Sequence, residues 1–272
     1  MNFCYLREIS SIGGCMKRGK LLLIMAAVFI LSSCYQFSSV ITVNPDGTGS
    51  IDQTILFRKD FFGSIDIYDE EELKIGAYEY GSGVGYVSSQ RIEAENMTGY
   101  SVKYSFEDIT SIEVDRGMTS ALISDPTGML DIDSERLQFR FVQREDESQL
   151  TILFPEMMDD DIETEEMDSP FLFDDDEDME EISEAVKELY SGMKLSSQIR
   201  VNGRILQTDA SFREDKVVTL VEVDFDKILE NDDALKYMMQ LTPEAIDAFQ
   251  DRAEVMSGIK MESKDEVKII FR

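Results

Sequence analysis

The chain has 272 residues, 26 basic and 56 acidic side chains and a formal net charge of −30, with no histidine, no tryptophan and three cysteines. Without histidine there is no Ser-His-Asp triad, no Cys-His dyad, no imidazole acid or base and no histidine-ligated zinc. A pI near 4.2 opposes a general nucleic-acid binder, which needs a basic face for phosphates, while an apolar content of 43% suffices for a packed core and excludes a wholly disordered acidic chain.

Residues 16–34 read MKRGKLLLIMAAVFILSSC. Lys17, Arg18 and Lys20 form a positive start, Leu21 to Leu31 an apolar run, and Ser32 and Ser33 lead to Cys34. The run is too short to cross ~30 Å of hydrocarbon, which takes about 20 residues, so the three-part order predicts a secretory signal over residues 1–33. Cys4, Glu8 and the polar stretch ahead of the basic residues suit such a signal poorly, which makes Met16 an alternative start.

Leu31-Ser32-Ser33-Cys34 resembles a bacterial lipobox. The resemblance implies a diacylglyceryl group on the Cys34 thiol, cleavage just before Cys34 and acylation of its new amino group. Two or three acyl chains then anchor the protein stably to a membrane outside the cytoplasm. Tyr35, next to the lipidated position, is not the Asp that retains many such proteins in the inner membrane. By the family's rule this implies the periplasmic face of the outer membrane in a two-membrane cell. Cys4 and Cys15 precede the cut, so the mature chain is expected to hold no disulfide and no free thiol.

Residues 34–39 then read as a short tether, of which Tyr35 to Ser39 reach at most about 17 Å, ahead of a first strand at Val40 to Val43. Asn44-Pro45-Asp46-Gly47-Thr48-Gly49 is a strong turn and Ile51 to Phe57 a second strand, which together predict a hairpin. Asp69 to Tyr80 suit a short helix capped by Asp69. Gly81-Ser82-Gly83-Val84-Gly85 is read as a turn: no strand leads in, no helix follows and no P-loop lysine is present. Period-two patterns at Val102, Tyr104, Phe106, at Leu137, Phe139, Phe141 and at Leu150, Ile152, Phe154 predict half-buried antiparallel strands. In the last third, helices are expected at 180–193, 226–241 and 243–257. Strands are expected around Ile199 to Ile205 with an Asn202-Gly203 turn, and at Val217 to Phe225 and Val267 to Phe271. In Val217 to Phe225, strict alternation puts Val217, Thr219, Val221, Val223 and Phe225 on one face. The fold class that follows is α+β: an antiparallel sheet with about three helices, mostly in the C-terminal third. The expected organisation is one domain over 40–272, with a split into 40–155 and 180–272 as the alternative. The runs Val40 to Phe57 and Val201 to Leu229 are similar to segments of uncharacterised bacterial envelope lipoproteins, a resemblance that brings no catalytic residues.

Residues 156–181 hold 15 acidic side chains and no basic one. Self-repulsion predicts a solvated insertion at 156–179. Clustered carboxylates also suit hard cations, which makes Asp159, Asp160, Asp161, Asp174, Asp175 and Asp176 candidate ligands for weakly bound Ca²⁺ or Mg²⁺; the spacing lacks the EF-hand glycine and terminal glutamate. A third reading docks Phe171-Leu172-Phe173 on a partner. No other cofactor is expected. The functional expectation is a membrane-anchored envelope lipoprotein that acts as a non-enzymatic binding or structural module, with an envelope protein as a conceivable partner. The alternatives are a carboxylate- or divalent-cation-dependent hydrolase and a carrier of lipid or small ligands.

Overall fold

The computed structural model describes residues 35–59, 68–115, 136–154, 187, 190–231 and 257–272. Its frame is the first hairpin. Strands β1 (Tyr35–Val43) and β2 (Gly49–Arg58) pair antiparallel from Tyr35 opposite Phe57 to Val43 opposite Gly49. In the turn, the Asn44 N–H donates to the Thr48 carbonyl at 2.8 Å. Asp46 accepts from the Thr48 N–H and hydroxyl at 3.1 and 2.7 Å, and Gly47 takes φ +86°, a conformation that costs glycine little.

Asp69 caps helix α1 (Glu70–Gly76) by accepting from the N–H groups of Glu71 and Glu72 at 2.9 and 3.3 Å, and a 3₁₀ turn continues to Tyr80. Strands β3 (Val84–Glu93) and β4 (Met97–Phe106) follow, and β4 lies against β2. After a 3₁₀ turn at Ile109–Ser111 come β5 (Val114–Asp115), β6 (Arg136–Gln143) and β7 (Ser148–Leu153). The remaining elements are β8 (Lys194–Val201), β9 (Ile205–Thr208), β10 (Arg213–Glu214), β11 (Val217–Asp224), helix α2 (Phe225–Leu229), β12 (Ile259–Met261) and β13 (Glu266–Phe271).

These strands make two sheets. The larger runs β10-β11-β8-β1-β2-β4-β3, with β12 also on β11; the smaller runs β5-β6-β7-β13-β9. Strands from before residue 155 and after residue 190 meet in both: β1 pairs with β8 in the large sheet, and β7 with β13 in the small one. Pairing is antiparallel except between β1 and β8.

The sheets bury their facing sides on each other. Ile41, Val43, Ile51, Tyr104, Phe106 and Ile199 of the large sheet share one core with Leu137, Phe139, Leu150, Ile152, Val267, Ile269 and Phe271 of the small one. Further along β1 and β8, a second cluster gathers Leu195, Val221, Val223, Ile259 and Met261 with Phe225 and Ile228 of α2, and Phe37 packs against it. Between the two clusters runs a polar row, Gln53 opposite Ser39 opposite Ser197, in which both serines are buried.

The expected fold class is overturned. More than half of the described residues are in strands, and α1 is the longest helix among them, at seven residues. The expected helix at 226–241 is a five-residue turn of helix, Phe225–Leu229; the rest of it, the helix at 243–257 and most of that at 180–193 lie outside the described residues. Within 180–193, Lys187 and Tyr190 are helical and Gly192, at φ +81°, ends the turn. The extra strand comes from segments without a clean alternation in the sequence: β1 begins at Tyr35, Val84–Glu93 pairs with β4, and β8 opens at Lys194.

Two local expectations change as well. A bulge between Thr219 and Val221 breaks strict alternation in β11, so Val218, Val221 and Val223 face inward with Ile199, Ser197 and Leu195, whereas Val217 and Thr219 face outward opposite Arg200 and Gln198. Asn202-Gly203 does not join two paired strands; it carries the chain from the large sheet to the small one. There the Asn202 N–H donates to the Val43 carbonyl at 2.8 Å, and the residues Arg204 and Arg272 exchange backbone hydrogen bonds at 2.7 and 3.1 Å.

Gly99 marks a close backbone approach in the large sheet. A Cβ there would lie 2.0 Å from the Ile55 carbonyl oxygen, whereas one at Gly85 would meet only the Ser105 hydroxyl, at 3.8 Å. Gly99→Ala should therefore cost about 2–3 kcal/mol in urea unfolding, and Gly85→Ala should leave stability unchanged or slightly raised.

Candidate functional site

Cys34 lies outside the described residues, but its chain neighbour does not. Residues 35–39, expected as a tether, are the first half of β1, and Tyr35 is already in register with Phe57. One peptide bond, about 3.8 Å between Cα atoms, joins Cys34 to the sheet. The neighbourhood of Cys34 is thus the end of the large sheet at which β1 begins.

That end is tied together by polar contacts. On one side of β1, Lys194 opens β8 opposite Gln36, and Gln36 Nε2 donates to the Gly192 carbonyl at 2.9 Å. The Gly192 N–H donates to Asp226 Oδ1 at 2.7 Å, which fastens the turn before β8 to α2. Asp224 closes β11 and takes Lys194 Nζ at 3.2 Å and Lys227 Nζ at 3.5 Å on Oδ2; its side chain is only 14% exposed, and Oδ1 is buried without a hydrogen-bond partner. Burial works to raise the Asp224 pKa, but Lys194 and Lys227 overcome it and hold the carboxyl below its ordinary value. Beneath this layer Tyr190 stacks on Phe225 at 5.1 Å between ring centres, and burial raises its phenol pKa.

On the other side of β1, Arg58 ends β2 opposite Met97, and Lys59 follows. Lys59 Nζ pairs with Glu93 at 3.0 Å and donates to the Ala94 carbonyl at 2.7 Å, so it pins the turn between β3 and β4. Hydrogen bonds from Lys59 and Thr98 lower the Glu93 pKa.

Two other groups of side chains invite a chemical reading, and both act within the fold. Tyr68, Tyr80, Tyr86, Tyr100 and Tyr104 gather where α1 meets β3 and β4. The Tyr80 and Tyr104 rings lie 5.4 Å apart, and Tyr68 and Tyr86 each share a 2.8 Å hydrogen bond with Ser89. The Tyr104 hydroxyl donates to the Leu73 carbonyl at 3.0 Å, which fixes α1 on the sheet. Burial, with Tyr100 and Glu79 nearby, pushes the Tyr104 phenol up to about 12. The second group is Glu262, at 0% exposure, whose carboxylate accepts from the Ser211 N–H at 2.7 Å and the Ser211 hydroxyl at 2.8 Å. Its own N–H donates to Leu220, four residues before Asp224 on β11.

Asp159, Asp160, Asp161, Asp174, Asp175 and Asp176 lie outside the described residues, and among the described residues no group of three or more acidic or cysteine side chains converges on a point. Sequence reasoning missed Glu262, because Glu262-Ser263-Lys264-Asp265 reads as a solvated turn. It missed the tyrosine group because the register that joins Tyr86 to Tyr104 is a property of the sheet. No described helix is long and apolar enough to cross a membrane.

No family model matches the sequence, and the comparison with curated proteins gave no match. Among solved structures, the folded domain of the LppM protein of Mycobacterium tuberculosis, determined by NMR, aligns over 89% of this chain and 91% of its own, with 8% sequence identity and a TM-score of 0.32. A likeness of that strength assigns neither fold nor function.

The ion pairs of Asp224 give the site a pH signature. A carboxyl held below its unfolded pKa contributes stability that is fully present above that unfolded value and is lost as pH falls through the folded one. Asp224→Asn should therefore lower stability by about 1–2 kcal/mol at pH 7 and by progressively less toward pH 3. Thermal unfolding of both proteins across that range checks it.

Proposed function

We propose that this chain is a lipid-anchored protein of the bacterial cell envelope and that it serves as a non-enzymatic binding or structural module. The observation that carries the reading is the order of charge, apolar run, small residues and cysteine in residues 16–34, followed without any spacer by a strand that takes its place in a sheet. A signal ending at Cys34 leaves a mature chain whose first free residue, Tyr35, is also its first sheet residue.

The non-enzymatic part is supported by where the buried charge goes. Glu262 is engaged by Ser211, and Asp224 by Lys194 and Lys227, so each of these carboxylates anchors a chain crossing. In a cell with two membranes the proposed address is the periplasmic face of the outer membrane.

Replacement of the lipid-bearing thiol tests the anchor. Cys34→Ala should abolish incorporation of a radiolabelled fatty acid and shift the protein from the membrane fraction to an uncleaved or soluble form. Equal labelling of variant and parent would sink the reading.

A further inference from the structure

A lipid on Cys34 leaves no free chain between bilayer and sheet. Tyr35 sits in the β1–β2 ladder opposite Phe57, and Gln36 sits in the β1–β8 ladder opposite Lys194. The glycerol of a diacylglyceryl thioether lies just beneath the lipid phosphates, so Tyr35, one peptide unit of about 3.8 Å beyond the lipidated residue, is held close to that depth. β1 is not an edge strand: β2 and β8 flank it, each about 4.8 Å away. Both bring cations to the same level. Arg58 is the residue after Phe57, Lys59 follows it, and Lys194 opens β8; Lys59 is 37% and Lys194 48% exposed.

We infer that the sandwich stands end-on on the bilayer, its large-sheet strands rising from the surface, with Arg58, Lys59 and Lys194 among the phosphates of the lipids around the anchor. This rests on the lipid-anchored reading of Cys34. The described acids at this end include Glu93, Glu95, Asp224, Asp226 and Glu230; Lys59 lies on Glu93 at 3.0 Å, and Lys194 and Lys227 lie on Asp224 at 3.2 and 3.5 Å. Among the described residues Arg58, Lys59, Lys194 and Lys227 offset all but one of those five acids, so little net charge there opposes an anionic surface within a Debye length of ~8 Å. The opposite end carries the turns at Asp46 and Asp146, joined by the 2.5 Å bond from the Ser148 hydroxyl to the Pro45 carbonyl, and it mixes the acids Asp46, Asp108, Glu145 and Asp146 with the cations Arg144, Arg204 and Lys216. Eight residue steps of β1 place it about 27 Å farther from the lipid.

The test uses full-length lipidated protein in vesicles of phosphatidylethanolamine and phosphatidylglycerol that carry a headgroup spin label. Asn96→Cys, in the turn between β3 and β4, and Asp146→Cys, at the far end, each supply one thiol for a fluorophore. Quenching should be at least about threefold greater at position 96 than at position 146, given their separation along the strands. Equal quenching at both positions, with Cys34 acylated, overturns the end-on placement and leaves the anchor intact. Lys59→Gln combined with Lys194→Gln should weaken quenching at position 96 while fatty-acid labelling of Cys34 is kept and thermal unfolding stays cooperative, at a midpoint lowered by the lost pairs to Glu93 and Asp224. Undiminished quenching in that variant overturns the phosphate contact. A parent protein without acyl label on Cys34 instead overturns the anchored reading itself.

Discussion

The structure depends on β1 being paired on both sides. Its nine residues run antiparallel to β2 and parallel to β8, and the rest of the large sheet is added outward from those two ladders. Parallel neighbours need a long crossover, and here everything from β2 to the turn at Gly192 supplies it. The consequence is that register in one ladder sets the other. Ile41 must face Ile51 and Ile199 together, and Phe37 must face Ile55 and Leu195 together. A one-residue slip of β1 would turn Ile41 and Val43 outward and bring Val40 and Thr42 into the core, so two independent hydrophobic cores oppose the same error.

The buried polar row between those cores follows from the same strand. Ser39, Ser197 and Gln53 lie side by side where the small sheet stops covering the large one. The small side chains let the sheet change partner there, from the opposing sheet to α2. The β11 bulge at the same level does the corresponding work on the outer side: Val218 and Leu220 belong to the first core, Val221 and Val223 to the second.

Much of this was legible in the sequence because it is local. The Asn44–Gly49 turn, the Asp69 cap, the alternation at 102–106, 137–141, 150–154 and 267–271, and the glycine stop at Gly192 are all where their residue types put them. What was not legible is non-local. Tyr-Gln-Phe-Ser-Ser at 35–39 has little strand signal, since Ser38 and Ser39 break the apolar alternation, and it is a strand because two neighbours offer it a complete set of hydrogen bonds. Asn202-Gly203 has the composition of a hairpin turn, but the position of Arg272 and Val43 makes it a crossing between sheets; a Cβ on Gly203 would lie 2.4 Å from the Arg272 carbonyl oxygen. The helical expectation at 226–241 began correctly, with Phe225 and Ile228 one turn apart and both buried, but α2 ends at Leu229, a stop that periodicity alone does not mark. Of the candidate site, the sequence placed the cysteine but not what stands beside it: Lys194 and Arg58 are 160 and 24 residues from Cys34 in the chain and one strand away in space.

Charge closes the argument. Of the 26 basic side chains, 19 lie in the described residues, against 26 of the 56 acidic ones, so the sheets carry far less of the net charge than the chain does. On the outer face of the large sheet the cations sit where register makes them count: Lys103 directly opposite Asp52, Lys260 opposite Glu222 and Lys194 opposite Asp224, with closest approaches of 3.0, 3.1 and 3.2 Å. Each exposed pair contributes only about 0.2–1 kcal/mol, but the alternative at each position is an acid facing an acid. A sequence this acidic forms a flat β-surface by using its few cations as cross-strand partners. The end from which the chain departs toward Cys34 keeps the same pattern, with Lys194 on Asp224 and Lys59 on Glu93.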